Sequence, residues 1–140
     1  MAPPLSKSVS FGLLLIRIMV GVVFIFHGSQ KLFGAWGGSG LDGFAGYLET
    51  LGVPYPHASA VLAGLAEFLG GISLVTGAFL RLLAIPLVIT MLVAIFSAFP
   101  GKGFDAQKGG MEYPLTLLVV VAALAIMGPG EYALLRRRAH

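Results

Sequence analysis

The chain has 140 residues, of which 57% are hydrophobic and 11% charged, with a mean hydropathy of +0.93, a balance outside that of water-soluble domains. Its formal charge of +3 comes without a basic stripe interleaved with aromatics that could track a phosphate backbone, so nucleic acid is not an expected partner. Cysteine is absent, which excludes disulfides, thiolate ligands, iron-sulfur clusters and CxxC relays, so the chain's own side chains carry no electrons.

The apolar residues come in long runs rather than amphipathic stripes. They predict an all-α integral membrane protein, a four-transmembrane-helix bundle forming one membrane domain over residues 1–140, with a short interfacial helix in the first outer loop. The first span covers about 11–33. Arg17 interrupts it and no small-x-small cleavage site follows before His27, so it reads as a retained helix rather than a signal peptide.

The loop that follows opens Gly-rich, with no strand before it and no GK[ST] after it to make a phosphate loop. It then places Leu41, Phe44, Leu48 and Leu51 at helical spacing. Residues 42–51 are read as the interfacial helix, ended by Gly52 and the turn around Pro54 and Pro56, serving as a cap over an outward cavity or as a connector at the headgroups. The second span covers about 58–80 and the third about 82–99. Only Arg81 separates them, which predicts a tight helical hairpin with a break near Gly77. The fourth covers about 113–128, and Pro86 and Pro114 are expected to bend or begin helices.

Lys7, Arg81 and the cluster Arg136, Arg137 and Arg138 fall on one side of such a bundle, which predicts cytoplasmic N and C termini. On the opposite side Lys102 and Lys108 are offset by Asp42, Glu49 and Asp105, and Trp36, Tyr47, Tyr55 and Tyr113 suit the outer interface.

Five ionisable residues lie inside or at the ends of spans: Arg17, His27, Lys31, Glu67 and Glu112. A charge at a helix centre costs ~2.5–3.5 kcal/mol on insertion scales, so an inward-facing, mutually paired set is expected. In the first span Arg17, Gly21, Phe24, Gly28 and Lys31 recur at helical spacing with His27 beside them. In the second, Glu67 sits in a stripe of small residues that includes Gly64, Gly70 and Gly71; with Gly21 and Gly28 these glycines are the expected helix-packing positions. Two readings stand. Either Arg17 with Glu67, and Lys31 with Glu112, are ion pairs that set helix order, or the five residues line a polar pocket open to the outer face, where His27 and the carboxylates bind a head group or move protons. No ligand-spaced motif predicts a metal site, and a lone intramembrane histidine does not make a bis-histidine haem site.

These residues also carry a resemblance. The pattern Arg17, Gly21, Phe24, His27, Gly28, Lys31 and Gly34, the loop ending Leu51, Gly52, Val53, Pro54, then Glu67, Gly70, Gly71, Gly77 and Arg81, and finally Gly109, Gly110, Glu112, Tyr113, Pro114 with Gly128, Pro129, Gly130, resembles the DoxX family over about residues 13–132. That resemblance implies a four-helix bundle in the bacterial cytoplasmic (inner) membrane, associated with oxidoreductases; relatives include the membrane part of a thiosulfate:quinone oxidoreductase.

The leading expectation is a membrane subunit of a redox complex whose outward polar pocket binds a quinone head group, with no covalently bound cofactor and with electrons supplied by other membrane subunits. As an enzyme it would be at most a subunit of a quinone-linked oxidoreductase that is not itself redox-active. The alternative is a non-catalytic structural or assembly subunit of a larger membrane complex, its charges serving only packing.

Overall fold

The computed structural model describes residues 3–135, so the arginine cluster 136–138 lies outside the described residues. Within them are five α-helices and no strand: α1 Lys7–Phe33, α2 Gly40–Thr50, α3 Pro56–Thr76, α4 Leu80–Ala98 and α5 Glu112–Met127. Helices α1, α3 and α4 are long and apolar enough to cross a membrane, while α5 is equally apolar but only 16 residues long. At 1.5 Å per residue α3 is roughly 31 Å long, close to the ~30 Å hydrocarbon thickness of a bilayer.

The ends of the helices follow from local chemistry. Helix α1 begins at Lys7, four residues ahead of the expected start, because the Ser6 side chain accepts a hydrogen bond from the Val9 N–H. It stops at Gly34, whose left-handed backbone (φ 66°) turns the chain away. Helix α3 ends earlier than the hydropathy implies, at Thr76, because Gly77 adopts φ +77° and closes onto the Ser73 carbonyl. The α3–α4 hairpin is then completed by Phe79, a non-glycine residue in the left-handed region. Pro86 lies inside α4, and Thr90 bonds its carbonyl. Pro114 sits in the first turn of α5, where its missing N–H costs nothing.

Helix α1 packs most extensively on α3, with further contacts of α3 on α4, α4 on α5, and α2 on α3; α1 and α5 meet only sparsely. The α1–α3 seam is a backbone contact. A Cβ on Gly71 would stand 2.7 Å from the Gly21 carbonyl oxygen and 2.7 Å from the Ile25 nitrogen, and one on Gly28 would stand 2.6 Å from the Phe68 nitrogen. Gly64 and Gly70 instead leave room for the side chains of Leu32 and of Leu87 on α4. The main core joins Leu13 and Phe24 of α1 to Leu74 of α3, Leu87 of α4 and Val121 and Leu124 of α5.

Both ends of the described chain lie at one end of the bundle, the terminal end, where Ser10 meets Glu131 and the Leu134 N–H reaches the Thr76 carbonyl. Helix α2 and the 99–111 loop occupy the other, the loop end. There α2 does not merely rest beside the bundle: Phe44, Ala45 and Leu48 are buried against Ala60 of α3.

Candidate functional site

The antiparallel α1–α3 register decides which charges meet. Gly21 lies against Val75 and Gly28 against Phe68. Continued along both helices, that register puts Lys31 level with Leu65, close to Glu67, and Arg17 level with Phe79, beyond the end of α3. Lys31 accordingly pairs with Glu67, Nζ to Oε1 at 2.6 Å. The expected pairings of Arg17 with Glu67 and of Lys31 with Glu112 are therefore corrected. Hydropathy locates a helix in depth, whereas the glycine contacts fix its partner's register.

Arg17 is wholly buried (0% exposed) and acts at the terminal end. Its Nε donates to the Leu74 carbonyl (2.8 Å), Nη2 to that of Val75 (3.0 Å), and Nη1 to those of Pro129 (2.5 Å) and Tyr132 (2.8 Å). Those carbonyls belong to the last turn of α3 and to the segment after α5, so the guanidinium joins α1, α3 and that segment through backbone carbonyls alone. A cation at a helix C-terminus also meets the negative end of the helix dipole. Arg81 does the same for α5, donating from Nε to Ala125 (3.1 Å) and from Nη2 to Ile126 (3.4 Å).

Glu112 is likewise drawn away from the ion pair. Its Oε2 accepts from the Ala106 N–H at 3.0 Å and braces the 99–111 loop onto the start of α5.

What remains together is a polar layer in the loop-end half of the bundle. Glu67 is 1% exposed; its Oε1 holds Lys31, and its Oε2 is buried with no hydrogen-bond partner among the described residues. Counting from Pro56 places it roughly 16 Å along α3, near the middle of the helix. Tyr113, at the start of α5, lies within electrostatic reach of the Glu67 carboxylate. His27 faces Tyr113 with ring centroids 6.2 Å apart, and touches Phe26 edge-on at 5.5 Å, rather than hydrogen-bonding Glu67. From the loop end Phe44 of α2 covers Lys31, its ring centroid 4.8 Å from Nζ, a cation–π contact.

Two members of this layer were not among the residues singled out from sequence. Tyr113 looked like an interfacial ring and Phe44 like the apolar face of a connector. The signal for Tyr113 was its place in the first turn of α5, at the depth of His27.

Grooves of about 480 and about 330 Å³ lie elsewhere, the first along Val75, Thr76 and residues 131–134, the second between residues 51–54 and Val93, Phe96 and Ser97. Neither is lined by Lys31 or Glu67. On its loop-end side the layer is packed by α2, whose Phe44 lies over Lys31.

A helical protein with three apolar helices of membrane-crossing length and a buried lysine–carboxylate pair among them is an integral membrane protein. The family model described as DoxX matches residues 12–100, more than half of the chain, and the chain belongs to the DoxX family. It is similar to the inner membrane protein YphA of Escherichia coli, 31% identical over 133 residues covering 89% of each chain. It is also similar to an uncharacterized membrane protein, Rv3486, of Mycobacterium tuberculosis, 32% identical over 87% of this chain and 78% of that one. A third relative, CatD of Bacillus subtilis, provisionally named an oxidoreductase, is 27% identical over 93% of this chain and 89% of its own. No solved structure matches the chain significantly.

Proposed function

We propose that this chain is a subunit of a redox complex in the bacterial cytoplasmic membrane, and that its Lys31–Glu67 layer engages the head group of a quinone. The observation that carries this reading is Glu67 Oε2, an acceptor buried near the middle of a membrane-crossing helix and without a partner among the described residues. Such an atom costs ~1–3 kcal/mol until a donor reaches it, and intramembrane carboxylates are functional by default.

The residues present suit both redox forms of the ring. Glu67 Oε2 accepts from a quinol hydroxyl, while the Lys31 ammonium and the Tyr113 hydroxyl donate to a quinone carbonyl oxygen. The burial of the Glu67 side chain, 2% exposed, strengthens each of these bonds. A bound quinone supplies the reversible electron carrier that a cysteine-free chain lacks, and a partner subunit supplies the electrons. The provisional name of CatD supports the redox half of the proposal.

The same reading makes α5 a fourth crossing. Arg81 at the start of α4 reaches the last carbonyls of α5, so the two antiparallel helices end at one level despite the shortness of α5. It also puts the terminal end, with Lys7 and Arg81, in the cytoplasm, and the inner-membrane name of the E. coli relative fits that compartment.

Purification in native lipid tests the proposal. Quinone co-purifies with the wild type and with Leu74→Ala, and is lost from Glu67→Gln; equal retention in the two variants refutes the assignment. Arg17 favours a second reading, a structural or assembly subunit, because its bonds serve chain architecture alone. In that case Arg17→Ala lowers the yield of the complex and no variant changes quinone content.

A further inference from the structure

Access to the Glu67 layer is not symmetric. In three seams of the bundle, α1–α3, α3–α4 and α4–α5, the backbones run close together, while α1 and α5 approach closely at few points and meet mainly through side chains. In the loop-end half this wider seam is bridged by the edge-to-face contact of His27 with Tyr113. Tyr113 is 49% exposed on the α5 side. On the α1 side the ring surface continues outward from His27 through Phe26 to Trp36, which stacks on Phe26 at 6.3 Å. The Glu67 carboxylate, buried on α3, lies within electrostatic reach of the Tyr113 side of this bridge.

The route from the loop face is closed by comparison. Phe44 covers Lys31, and Phe44, Ala45 and Leu48 pack on Ala60 with Leu41, Val53 and Ala63 filling in around them. Parting α2 from α3 breaks an apolar cluster. Parting His27 from Tyr113 breaks a single ring contact, and rotation of Tyr113, 49% exposed, is a fast and inexpensive motion.

The geometry points to lateral entry: the ligand of the Glu67 layer comes from the bilayer, through the α1–α5 seam, with His27 and Tyr113 as the gate. This deepens the proposed function and rests on it. The ligand class it selects is a bilayer-dissolved molecule with a flat ring bearing hydroxyl or carbonyl oxygens. The ring slides along Phe26 and replaces the His27–Tyr113 contact with stacking, and its oxygen reaches Glu67 Oε2 or Lys31 Nζ. A water-soluble anion or sugar has no such path.

The experiment uses full-length protein in vesicles, with long-chain ubiquinone dissolved in the lipid as the probe. Trp36, the single tryptophan of the chain, reports loading through quenching. Val23 stands one helical turn before His27 on α1 and is partly buried against the core. Val23→Phe narrows the seam and slows loading about tenfold with unchanged final amplitude, whereas Leu48→Ala, which thins the α2 cover without touching the Lys31–Glu67 pair, leaves the rate unchanged. Faster loading in Leu48→Ala with no effect of Val23→Phe overturns lateral entry while the binding site survives; no quenching in any variant removes the binding site itself.

A second readout needs no ligand. In a chain carrying Trp36→Phe and Tyr113→Trp, the new indole is quenched by lipids brominated in mid-chain and spared by aqueous iodide; the reverse pattern overturns the seam as the entrance.

Discussion

Replacing Lys31 by Met removes the one partner found among the described residues for a carboxylate that is 2% exposed in its side chain, and leaves both oxygens of Glu67 unpaired by any of them. Removing one member of a buried pair costs ~3–5 kcal/mol in general. Here the lower end applies, because the Lys31 side chain is 25% exposed and Met keeps an apolar contact with the Phe44 ring. A loss of about 3 kcal/mol, or about a hundredfold in the unfolding constant, is expected. The compensating change is Glu67→Leu. With both charges gone, neither desolvation cost remains, and the double variant Lys31→Met/Glu67→Leu regains most of the loss. The assay is reversible unfolding in mixed detergent micelles, followed by helicity, across the four members of the double-mutant cycle. If Lys31→Met alone costs less than about 1 kcal/mol, or if the two changes simply add, then the pair is not coupled as the 2.6 Å contact requires and the reasoning fails.

Arg17→Lys retains the charge but not the fork that reaches four carbonyls on two segments; residues 128–135 are expected to become sensitive to limited proteolysis, read by mass spectrometry, while α1 to α4 stay protected. Gly71→Ala drives a methyl into the α1 backbone and is expected to destabilise by ~1–3 kcal/mol. Gly12→Ala, in the same membrane helix as Gly21 but with nothing within 4 Å of its new methyl, is expected to stabilise by ~0.5–1 kcal/mol in the same unfolding assay.

The helices were legible in the sequence because apolar runs of span length have few alternatives, and because Gly34, Gly52 and Gly77 punctuate them. The α1–α3 seam was legible too, since Gly21, Gly28 and Gly71 stand at helical spacing. Its register was not. Sliding one glycine stripe along the other by a turn leaves the pattern intact but changes which cation meets Glu67, and only the contacts of Gly21 with Val75 and Gly28 with Phe68 settle it. The partners of Arg17 were hidden for a different reason. They are backbone carbonyls, and a carbonyl leaves no trace in residue identity. The same holds for Glu112, whose donor is the Ala106 N–H.

The grip of Arg17 on Pro129 and Tyr132 has a consequence for biosynthesis. The side chain enters the bilayer with α1, yet two of its four acceptors lie 112 and 115 residues further along the chain and are translated that much later. Until they arrive, a guanidinium in hydrocarbon lacks part of its coordination, a condition membranes tolerate poorly. A chain truncated after α5 would keep every helix found among the described residues and still present that defect, which gives a membrane protease grounds to tell a copy lacking the segment after α5 from one that has it.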